Sequence, residues 1–111
     1  MTMTYNEIYT MIHSVGYPAA YNHFPDDTAK EPPFICFYYP ASSDFMADNC
    51  NYVKKEQVYI ELYTAEKDLQ AEQALETVLR NNEMAYTRSE TYIDAEKMYM
   101  QLYITEVYID G

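Results

Sequence analysis

Tryptophan is absent from this chain, and glycine occurs only twice, at Gly16 and Gly111. Two isolated glycines exclude a glycine-rich loop that cradles phosphate, and equally a flexible Gly/Ser linker. Basic residues are scarce: 7 stand against 18 acidic ones, for a net charge of −11. They are also scattered, with Lys54–Lys55 the one adjacent pair. Phosphate contacts need clustered Lys and Arg, so specific nucleic-acid binding is not expected. No apolar run approaches the roughly 18 residues that span a bilayer, so no membrane insertion is expected. The stretch MTMTYNEIYT has neither the basic nor the apolar segment of a secretory leader, which predicts a protein kept in a cytoplasm. The two cysteines, Cys36 and Cys50, then read as free thiols, although a disulfide between them stays sterically possible.

What is present is enough apolar material for a core. The chain has 111 residues, 49% of them hydrophobic, and 14 are tyrosine. That is one ordinary domain, taken as 1–111, without repeats or low-complexity tracts. TYNEIYTMIHSVG predicts a helix: Thr4 and Glu7 have capping-box spacing, and Tyr5, Ile8, Tyr9, Ile12 and Val15 form one stripe. Gly16 and Pro18 would end it. PAAYNHFPDDTAKEPP has the composition of an extended loop. FICFYY, Phe34 to Tyr39, is a strand with both parities apolar, which calls for cover on both faces. Pro40–Tyr52 reads as a loop carrying Phe45 and Met46.

YVKKEQVYIELYT alternates as a strand, with Val58, Ile60 and Leu62 on one side and Tyr59, Glu61 and Tyr63 on the other. AEKDLQAEQALETVLRNN predicts the second helix, capped by Thr64 and burying Ala71, Ala74, Leu75, Val78 and Leu79. EMAYTRSETYI is a polar strand suited to an edge, and a turn at Asp94–Lys97 leads to the last strand, MYMQLYITEVYI. There Met98, Met100, Leu102 and Ile104 are expected in the core, with Tyr99, Gln101, Tyr103 and Thr105 outside. Val107 and Ile109 are then out of phase, and a bulge after Thr105 would explain it. The expected fold is α+β, two layers, with a mainly antiparallel four-stranded sheet. Two helices lie on one face, in the order α-β-β-α-β-β.

The uncovered face of that sheet would carry Tyr59, Tyr63, Tyr99 and Tyr103. Tyrosine combines large contact area with a polar tip and is enriched at interfaces. It is also simply a good strand former. These four, with Phe45 and Met46 in the loop, are the candidate protein-interface residues. Those two are either a contact that orders on assembly or an apolar pair folded back on the core.

No catalytic constellation stands out. His13 lies off the apolar stripe of its helix. His23 with Asp26 and Asp27 has no recognised metal-ligand spacing. Cys36 or Cys50 with His23 lacks the rest of a thiol-protease pattern. Asp44, Asp48 and Asn51 lack the order of a calcium loop. The expectation is no enzyme, no metal, no cofactor and no small-molecule ligand.

Several segments together resemble the small tail-completion proteins of long-tailed bacteriophages and prophages, also called tail terminators or head–tail joining proteins. They are YNEIYTMIHSVGYP, PPFICFYY, VYIELYTAEKDLQAEQALETVL and SETYIDAEKMYMQLYITEVYI. The shared feature is apolar spacing rather than an invariant chemical motif, and related minor capsid or neck proteins have the same look. The resemblance implies a virion subunit that self-associates into a ring, a hexamer, and contacts other tail or connector proteins at the head–tail junction or tail end. Its location would be the virion, after assembly in the host cytoplasm. A competing reading is a small acidic inhibitor that mimics DNA. Glu66, Asp68, Glu72 and Glu76 follow one helix, but Lys67 and Arg80 interrupt that surface. A generic protein-interaction domain is the third reading.

Overall fold

The computed structural model describes residues 2–24, 31–46 and 52–109. In chain order the elements are β1 (Thr2–Met3), α1 (Tyr5–His13), β2 (Ala19–Tyr21), β3 (Phe34–Tyr38), β4 (Ser42–Met46), β5 (Tyr52–Thr64), α2 (Leu69–Asn81), β6 (Tyr86–Ile93) and β7 (Met98–Ile109).

The first helix starts where its sequence says. The Thr4 hydroxyl accepts from the Glu7 N–H at 3.0 Å, and the Glu7 carboxylate accepts from the Thr4 N–H at 2.8 Å. This reciprocal pair satisfies two amides that the helix itself leaves open. Ser14 closes the helix, and Gly16 follows at φ +104°, a backbone that side-chain-bearing residues rarely adopt. The second helix starts later than its composition suggests. Thr64 is still the last residue of β5, and Asp68 is the cap, its carboxylate accepting from the Ala71 N–H at 3.0 Å. Of the expected stripe, Ala71, Leu75 and Leu79 are buried, whereas Ala74 and Val78 are half-buried.

The sheet corrects the four-stranded expectation. Seven strands form one mixed sheet, curled into a half-barrel, with the path β1-β7-β5-β3-β2 and with β4 on β5 and β6 on β7. Two pairings are parallel, β1 with β7 and β2 with β3. Three strands arise from segments that composition marks as loop or terminus. The stretch after α1 contributes β2, whose three residues run beside Ile35, Cys36 and Phe37. The expected loop Pro40–Tyr52 contains β4, which pairs from Ser42↔Glu56 to Met46↔Tyr52. The long β5 makes this possible. Its 13 residues exceed the reach of β3, so one edge takes β3 along Tyr59–Tyr63 and β4 along Tyr52–Glu56. The other edge is occupied by β7 from Lys54↔Ile109 to Thr64↔Tyr99.

That unbroken ladder reverses the expected parity of β7. Residues directly opposite in an antiparallel pair share a face. Val58, Ile60 and Leu62 are fully buried, and they stand opposite Thr105, Tyr103 and Gln101. The core residues of β7 are therefore Gln101, Tyr103, Thr105 and Val107, and no bulge is needed to bring Val107 in. Met100, Leu102 and Ile104 lie on the opposite face. Both helices pack on the Tyr103 side, where Ile8, Ile12, Leu75 and Leu79 join Ile35, Phe37, Val58, Ile60 and Leu62 in one apolar cluster. Beneath α2, two polar core residues of β7 find partners: the Tyr103 hydroxyl donates to Glu76 at 2.8 Å, and the Gln101 amide accepts from Arg88 and donates to Glu90.

Candidate interaction surface

Opposite the helices, the registers of β3, β5 and β7 bring three rows of side chains together. Tyr38, Tyr59 and Ile104 form one row, Cys36, Glu61 and Leu102 the next, and Phe34, Tyr63 and Met100 the third. Aromatic residues come from β3 and β5, and aliphatic ones from β7. All are half-buried except Cys36, which is 5% exposed. Among the described residues no helix lies on this face.

The centre of the lattice is a carboxylate. Glu61 accepts from the Tyr63 hydroxyl at 2.7 Å and from the Tyr38 hydroxyl at 3.3 Å. The rings themselves pack: Phe34 stacks on Tyr63 with centroids 4.9 Å apart, and Tyr38 tilts against Tyr59 at 5.4 Å. These contacts fix the aromatic rings before any partner arrives, which lowers the ordering cost of binding. Burial, and then the Glu61 charge, push the Cys36 thiol up to about 11. Burial, followed by the bond to Glu61, also raises Tyr63, and burial with Glu61 raises Tyr38. The thiol therefore stays protonated at neutral pH and carries little nucleophilic character.

The structure divides the expected interface residues. Tyr59 and Tyr63 lie on this face. Tyr103 does not: it is 0% exposed beneath α2, which corrects its placement at an interface. Tyr99 shares the Tyr103 face and packs edge-on against Tyr92 at 4.8 Å. Phe45 and Met46 lie in β4, paired with Val53 and Tyr52, and their side chains fall outside the described ones. Met100, Leu102 and Ile104 were missed because their hydropathy favours the core. The signal that finds them is the phase of Val107 and Ile109, which agrees with Tyr103 and not with Leu102.

Other candidates resolve differently. His13 turns back on its own helix, with Nδ1 2.8 Å from the Tyr9 carbonyl and its ring stacked on Tyr9 at 3.9 Å. Asp26, Asp27, Asp48, Cys50 and Asn51 lie outside the described residues. Among those described, no three His, Cys, Asp or Glu side chains are grouped to hold a metal, and no helix is long and apolar enough to cross a membrane. A groove of about 590 Å³ opens where β6 stops opposite Thr105 and β1 takes over opposite Tyr108. Lys55 is among its lining residues, 3.8 Å from Glu106 and over the Tyr108 ring.

No protein-family model matches the chain, and no curated protein matches it.

Proposed function

We propose that this protein is a non-catalytic structural subunit of a bacteriophage or prophage virion. It would sit at the head–tail junction or tail end and assemble through protein–protein contacts. The observation that carries the proposal is the lattice of Tyr38, Tyr59, Tyr63, Met100, Leu102 and Ile104 on the sheet face away from both helices. Such an apolar face, preset by ring contacts and centred on a tyrosine-held carboxylate, suits a permanent neighbour better than a diffusing substrate. The resemblance of the segments to tail-completion proteins supplies the setting. In that setting the face meets neighbouring subunits of a ring and the tail or connector proteins beside it.

Light scattering over a concentration series, alone and with purified tail tubes, tests this reading. Assembly is expected, and Leu102→Glu should abolish tube binding and every species larger than a dimer while the thermal midpoint of the subunit stays close to wild type. A protein that remains monomeric under both conditions, and binds no tube, would overturn the assignment.

A further inference from the structure

The outer edge of β6 carries a second self-recognition surface, independent of the sheet face above. Eight residues, Tyr86 to Ile93, pair in unbroken register with β7, and among the described residues no strand pairs with their other edge. An edge of this length is a template for another strand. Proteins commonly blunt such edges with proline, a bulge or a row of like charges. β6 has no proline and no bulge, and its two charged residues, on the helix-side face, are of opposite sign. It holds one base and one acid, Arg88 and Glu90, so it is charge-neutral within a chain of net charge −11. The strand itself therefore adds no net repulsion between two copies.

The order of its residues is self-complementary. YTRSETY, Tyr86 to Tyr92, reverses onto itself about Ser89 with only the arginine and glutamate exchanged. We propose that β6 pairs antiparallel with β6 of a second copy, across a twofold axis at Ser89, joining two sheets into one. In that register Arg88 stands opposite the partner's Glu90, and Glu90 opposite the partner's Arg88. Tyr86 meets the partner's Tyr92, and Thr87 meets the partner's Thr91. Cross-strand opposite charges, aromatic pairs and threonine pairs are the combinations that stabilise an antiparallel ladder. One patch serves both subunits, as twofold symmetry requires. A register shifted by two residues would lose the charge pairing, so the sequence specifies one alignment.

The side chains are prepared for it. Residues 87–91 are exposed, and Tyr92 is 45% exposed. Arg88 and Glu90 are braced from behind by the two ends of the Gln101 amide, and Lys67 bonds Glu90 at 2.7 Å. Holding the two charges in place reduces the entropy lost when a partner arrives.

A charge exchange tests the pairing. Arg88→Glu sets acid against acid at both mirror-related positions, and Glu90→Arg sets base against base. Each variant, shown folded by circular dichroism, should dimerise about tenfold more weakly or worse in sedimentation equilibrium. An equimolar mixture of the two should form a heterodimer about as tight as wild type, because both cross-strand pairs become complementary again. Should either variant fail to fold, Ser89→Cys in a Cys50→Ser background gives the same information through a disulfide-linked dimer under mild oxidation. A wild-type chain that stays monomeric at millimolar concentration, or a mixture no tighter than its components, would overturn the proposal and leave the edge to solvent or a foreign strand. Run in the Leu102→Glu background, the exchange reports on this edge alone, and its failure leaves the Leu102 face untouched.

Discussion

Ile60 and Tyr103 stand opposite one another on neighbouring strands, and both are fully buried. An isoleucine facing a tyrosine at the centre of a core requires somewhere for the hydroxyl to go. Here it reaches Glu76 on α2 at 2.8 Å. Tyr103→Phe should therefore cost about 1 kcal/mol, the net worth of one hydrogen bond, whereas Tyr103→Ala should cost about 3–5 kcal/mol. Tyr59→Ser, on the other face, should cost only about 1 kcal/mol. Urea denaturation of the three variants checks the order, and equal losses at Tyr59 and Tyr103 would refute the parity described above.

The start of α2 gives a second test. Asp68→Ala removes the carboxylate that caps the Ala71 N–H and should lower stability by about 1 kcal/mol. Thr64 is 3% exposed, and its hydroxyl has no hydrogen-bond partner among the described residues. Thr64→Val, which keeps the shape and removes the orphaned hydroxyl, should raise stability by about 1 kcal/mol. If Thr64 capped the helix instead, the valine variant would lose stability.

Lys67 lies between two carboxylates, 2.7 Å from Glu72 and 2.7 Å from Glu90. The bonds to Glu72 and then Glu90 raise its ammonium above the ordinary lysine value. Glu72 is 5% exposed, so losing the ammonium leaves a buried charge uncompensated. Lys67→Met should cost about 1–3 kcal/mol at neutral pH. The double variant with Glu72→Gln should recover part of that loss. Additive losses in the double-mutant cycle would show that the two side chains are not coupled.

Alkali supplies a fourth test. The Cys36 thiol ionises at about 11 in the folded protein, against an ordinary value of 9.0. An acid whose folded value is raised favours the folded state while neutral, so its contribution is complete below pH 9 and is lost between pH 9 and 11. Tyr39, raised by burial to about 12, extends the decline above pH 10. Wild type should lose thermal stability progressively from pH 9, and Cys36→Ala should flatten the first part of that decline. A thiol probe at pH 8 should label Cys36 only on unfolding.

Local signals were legible in the sequence wherever a residue's partner lies within a few positions. The Thr4–Glu7 capping box, the stop at Gly16, the turn before Met98 and the alternation of β5 all depend on neighbours three or four residues away. The parity of β7 was not legible in the same manner. Hydropathy places Met100, Leu102 and Ile104 inside, and what outweighs it is distant: Glu76, Arg88 and Glu90 supply the bonds that let Tyr103 and Gln101 be buried. The two short parallel strands escaped for a similar reason. Ala19–Tyr21 has no strand pattern of its own and becomes a strand because β3 offers an open edge. Of the candidate surface, Tyr59 and Tyr63 followed directly from the period of β5, whereas its aliphatic third waited on the register.

The position of β7 has a consequence for how the chain is made. β7 is an interior strand, holding β5 on one side and β6 and β1 on the other, yet it is the last of these elements to be synthesised. Until residue 109 has emerged, β5 keeps an entire edge open, β1 has no strand to dock on, and the apolar sides of α1 and α2 face an incomplete sheet. Long-range strand pairing of this kind is slow and leaves sticky surface waiting. A chain cut before Met98 would lack the strand that joins β5 to β6 and β1, and so the middle of its sheet.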